Sequence, residues 1–84
     1  MKHANDIKQL VARNRLEQAI PQLLSMAKEV DNPTYNIAIV IASEVHALEE
    51  AKLLGSFSLN EWIVARRQLT ERILQLTDRI DGNF

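Results

Sequence analysis

His46, Glu49 and Glu50 form the one place in this 84-residue chain where spacing gathers a base and two carboxylates. Separations of three and four residues put them on one face of a helix. Such a set supplies two metal ligands or a histidine base steadied by an acid. A zinc site needs further ligands, and the sequence brings none beside them. A base needs a nucleophile or substrate group within reach, and no serine or acid completes a triad with His46. His3 stands near the terminus, and no glycine-rich phosphate loop is present. The residues therefore predict no catalytic group, no bound metal and no cofactor, and His46 reads as a surface or interface histidine.

Charge narrows the other classes. Ten Lys and Arg against eleven Asp and Glu leave a net charge of −1, mixed along the chain. That balance gives no electrostatic reason for nucleic acid or an anionic membrane as partner. Arg66, Arg67, Arg72 and Arg79 make one side of the last helix basic, but Glu61, Glu71, Asp78 and Asp81 dilute it. There is no cysteine, which excludes disulfides and thiolate chemistry and fits a reducing compartment. No apolar run reaches the roughly 18 residues of a membrane span, and the first ten residues lack a signal-peptide core. A cytoplasmic protein is expected.

The elements that hold these residues follow from periodicity. The length is that of one domain, with an aliphatic core built by helices. Asn5 or Asp6 can cap a short first helix that carries Ile7, Leu10 and Val11 and ends near Asn14. Asn14 then caps a second helix, with Glu17 as its reach-back partner. Leu16, Ala19, Ile20, Leu23, Leu24, Ala27 and Val30 form its apolar stripe. Pro21 interrupts that helix, and because the stripe keeps its phase a kink is expected rather than a new start. Asn32 followed by Pro33 opens a third helix running to Leu54.

The turn after it is the most specific stretch. Gly55 can take the left-handed conformation that ends a helix. Ser58 and Glu61 match a capping box, while Phe57 and Trp62 occupy the two positions of a hydrophobic staple. The fourth helix then runs to about Asp81. The fold class expected is all-α: a compact four-helix bundle with a short first helix and a long antiparallel hairpin of helices three and four. Counting back from the turn sets Glu44 within a turn of Arg66, and an ion pair across the hairpin is predicted.

Protein–protein contact has one local sign. Ile39, His46 and Leu53 recur by sevens on the side of helix three away from Ile37, Ile41 and Leu48. Either helices one and two cover this stripe, or it stays partly exposed and docks another copy of the chain or another protein. The candidate partner-binding set is Ile39, His46, Glu49, Glu50 and Leu53, with Arg67 and Arg72 of the last helix as opposite charge.

Three stretches carry a resemblance: "IKQLVARNRLEQAIPQLLSMAKEV", "IASEVHALEEAKLLGSFSLNEW" and "RRQLTERILQLTDRI". Their order resembles the bacterial effector-associated domains of the type-11 class, over roughly Ile7 to Ile80. Leu54-Gly55, Ser58, Glu61 and Trp62 occupy that family's turn positions. Pro21, the tract Ser43 to Ala47, and Arg67-Gln68 depart from its pattern. The resemblance implies a non-enzymatic adaptor of bacterial conflict and immune signalling, joining effectors through like or unlike domains. The other readings are a small helical regulator, such as an antitoxin or DNA-binding repressor, and a structural self-associating bundle.

Overall fold

In the computed structural model, which describes residues 2–55 and 58–82, the chain forms four helices in order. They are α1 (Lys2–Ala12), α2 (Leu16–Val30), α3 (Asn32–Leu53) and α4 (Leu59–Asp81). Each helix packs on its neighbours in sequence, α4 also lies against α1 and α2, and α1 and α3 do not touch. The bundle is elongated, 40 × 24 × 16 Å. The all-α architecture, the short first helix and the long antiparallel α3–α4 hairpin agree with the sequence reading.

The core is aliphatic. Ile7, Leu23, Met26, Ile41, Val45, Ile73 and Ile80 are completely enclosed, one or more from every helix. Thr77 is the polar exception, and its hydroxyl donates to the Ile73 carbonyl at 2.6 Å. That back-bond one turn earlier removes the cost of burying an unpaired hydroxyl.

Helix ends differ from expectation in three places. α1 begins at Lys2, ahead of Asn5 and Asp6. Ala4 and Ile7 are both buried, and three residues apart they share one face of α1, so the helix includes Ala4 rather than starting after Asn5 or Asp6. Asn14 ends α1, as expected, but does not also cap α2. Its φ is +65°, the Arg15 N–H bonds to the Leu10 carbonyl, and the Asn14 N–H bonds to Val11. This is the Schellman pattern, which asparagine tolerates because its side chain fits the left-handed region. α2 then starts after Arg15 with no side-chain cap, so Glu17 has no reach-back role.

α3 is capped one residue earlier than expected. Asp31 Oδ1 accepts from the Thr34 N–H at 2.8 Å, and Pro33 falls in the first turn, where its missing N–H costs nothing. Pro21 is accommodated inside a continuous α2. It and Glu17 are exposed, so the Glu17 carbonyl that loses its donor faces water.

Candidate interaction surface

The hairpin turn forms much as its residues dictate. Gly55 has φ +69° and its N–H closes on the Lys52 carbonyl, ending α3. Ser58 Oγ accepts from the Glu61 N–H and Glu61 Oε1 accepts from the Ser58 N–H, both at 3.2 Å, so the capping box is complete. The staple assigned to Phe57 lies outside the described residues. Its expected partner Trp62 is half-buried against the core.

Trp62 is a junction as well as a packing residue. Lys52 Nζ lies 4.4 Å from the ring centre and the Arg66 guanidinium 5.6 Å, both within cation–π range. Arg66 Nη2 also donates to the Asn14 carbonyl at 3.3 Å. Three segments therefore meet at this end: the end of α3, the start of α4 and the α1–α2 turn. The cleft beside them, about 260 Å³, is lined by Arg15, Lys52 and Arg66 but also by Glu17 and Glu49. Opposite charges offset there, so no strong field is focused on a ligand.

The predicted Glu44–Arg66 pair does not form. Glu44 Oε2 instead accepts from Arg72 Nη1 at 2.6 Å. The hairpin register is centred on Ser58, where α4 is capped, rather than on Gly55, where α3 ends. Every level on α4 is therefore displaced toward its C-terminus relative to the count made from the glycine. Arg66 is free to serve Trp62 and Asn14.

The candidate partner-binding residues divide into two groups. Ile39 is 44% exposed and Leu53 85%, with His46 and Glu50 exposed between them. α2 covers the flank of α3 that carries Ala38, Ala42 and Val45, and α1 does not reach α3. The alternative in which helices one and two cover the stripe is thus not what the fold does. Glu49 is half-buried on the side toward α2. Arg72 is held by Glu44 on the opposite flank of α3, so it does not complement the stripe directly. Arg67 is exposed beside Ile63 and Glu71.

Sequence reasoning missed further exposed apolar side chains at separate places on the hairpin. Ile37 and Val40 on α3, and Ile63 and Val64 on α4, are each at least 39% exposed, and Leu54 and Leu59 stand exposed at the hairpin tip. The signal was available in α3, whose run from Ile37 to Ala42 is apolar all round. A helix covered only on the sides that face α2 and α4 cannot bury such a run completely.

Among the described residues no three His, Cys, Asp or Glu side chains are placed to hold a metal ion. No helix among them is long and apolar enough to cross a membrane. The family model of effector-associated domain 11 matches residues 2–81, nearly the whole chain. No curated protein and no solved structure gives a significant match.

Proposed function

Because the chain belongs to the effector-associated domain 11 family, we propose that it is a non-enzymatic adaptor domain of a bacterial conflict or immune signalling system. In this reading it acts in the cytoplasm and links components by contact with a like or unlike domain. The observation that carries the reading is the uncovered apolar surface of α3. Ile39 and Leu53 stand out from the bundle with His46 and Glu50 between them. Exposed aliphatic side chains aligned along one helix face, bordered by charge, suit a partner domain.

The test is co-purification of the tagged domain with proteins encoded beside it. Wild type is compared with a double variant, Ile39→Arg with Leu53→Arg. Both sites are exposed, so an unchanged far-UV spectrum is expected. The wild type should retain a defined partner and the variant should lose it. A folded variant that retains the partner normally rules out the stripe. A wild type that retains none of these proteins rules out the adaptor role toward them.

A further inference from the structure

We propose that the outer groove between α3 and α4 is a self-complementary face that docks a second copy of this chain about a two-fold axis running along the hairpin. The inference rests on the adaptor reading and deepens it by naming one partner and a face distinct from the Ile39–Leu53 stripe.

The groove is built by spacing. On α3, Ile37, Val40, Glu44, Ala47 and Ala51 succeed one another at three and four residues and so share a side of the helix. On α4, Val64, Gln68, Arg72 and Gln75 do the same. Between these rows two open clefts, about 300 and 280 Å³, lie on either side of the Glu44–Arg72 pair. Leu48 and Leu69 line one, and Ile41 and Leu76 the other. The small side chains Ala47, Ala51 and Ala65 leave room for another helix to approach closely. Val40, half exposed, stands at the rim.

The charge pattern identifies the occupant. Glu44 and Arg72 sit level with each other on antiparallel helices, and each side chain is 42% exposed. A two-fold axis parallel to the helices lays α3 of one copy over α4 of the other at the same height. Glu44 of each copy then meets Arg72 of the second, twice, and the two internal pairs become a ring of four alternating charges. At that register Ala51 of one copy faces Val64 of the other, Ala47 faces Gln68, Val40 faces Gln75, and no like charges are opposed at the centre. A face carrying both signs in mirror positions is matched by itself.

The experiment uses molar mass by light scattering over a wide range of protein concentration. It is applied to the full chain, to Glu44→Arg, to Arg72→Glu, and to an equal mixture of the two variants. Each variant breaks its own internal pair, and only contact between copies can restore opposite charges. The wild type should rise from 9.6 kDa toward twice that mass. Each variant alone should stay at 9.6 kDa, and the mixture should rise again. Val64→Arg, at an exposed site two turns along α4 from Arg72, should also hold the monomer mass and serves if a charge variant fails to fold.

A wild type that is monomeric throughout, folded variants that associate as wild type does, or a mixture that stays monomeric overturns the proposal. A monomeric wild type that still retains a partner in co-purification overturns this proposal and leaves the adaptor reading standing. A dimer through this face that retains nothing does the reverse.

Discussion

Ile7→Ala tests whether α1 belongs to the folded core or merely rests on it. At eleven residues α1 is shorter than the ~12–15 an isolated helix needs in water, so packing must hold it. Ile7 is 0% exposed and Ala4 4%, and among the described residues they are the buried side chains that α1 contributes. The Lys8–Asp78 bridge, 2.7 Å, is exposed to solvent and adds little. Truncating Ile7 removes about three methylene equivalents at ~0.8 kcal/mol each, or ~2.4 kcal/mol of transfer free energy. The cavity left behind raises the cost to about 3–4 kcal/mol. A domain of this size has a total stability of roughly 4–13 kcal/mol, so the loss is a large share of the whole. Urea unfolding followed by far-UV circular dichroism should show the midpoint falling with the slope unchanged. Ile39→Ala, the same change at an exposed site, should stay within about 0.5 kcal/mol. A loss below ~1 kcal/mol for Ile7→Ala, with α1 amides exchanging freely in the wild type, would refute the reasoning, because α1 would then undock on its own.

Three further outcomes are expected. Gly55→Ala meets open space but must adopt φ +69°, so thermal unfolding should show a loss of about 1–2 kcal/mol, and Gly55→Asn a smaller one. A double-mutant cycle on Glu44 and Arg72 should give a coupling of ~0.2–1 kcal/mol, the range for partly exposed pairs, while the Glu44–Arg66 cycle gives none. The Asp31 carboxyl is held below its ordinary value of 3.8 by hydrogen bonding to Thr34, first its side chain and then its backbone N–H. A depressed folded pKa contributes stability that is present above 3.8 and disappears as pH falls through the folded value. The Tm advantage of wild type over Asp31→Asn should therefore narrow on acidification below pH 3.8, and a gap independent of pH would contradict it.

The helices were legible because each carries a three-and-four repeat long enough to specify its type. Gly55, Ser58 and Glu61 were legible because each position demands a particular side chain. What could not be read were choices between residues with equal credentials. Asparagine suits both an N-cap and a left-handed helix end, so the end of α1 near Asn14 is legible while the added role of capping α2 is not what forms. Asp31 and Asn32 are both good caps, and only the reach to the Thr34 N–H separates them. The Glu44 partner depended on hairpin register, which is set by where α4 is capped rather than where α3 stops. The exposure of Ile39, Val40 and Leu53 depended on which flank of α3 its neighbours cover. Periodicity cannot supply that, since nearly every face of its first half is apolar.

The pairing of Lys8 with Asp78 has a mechanical consequence. α1 starts and α4 ends at the same pole of the bundle, while the turns at Asn14 and Gly55 occupy the opposite pole. Segments joined to both ends of the domain would leave it side by side, so it would hang from a longer chain as a pendant and act poorly as a spacer. Tension between those segments would pull α1 and α4 apart laterally. Their contacts would then be loaded one after another, starting near Asp78, and not shared along the 40 Å length. Such a geometry unzips at low force, and α1, the shortest helix, would peel away first.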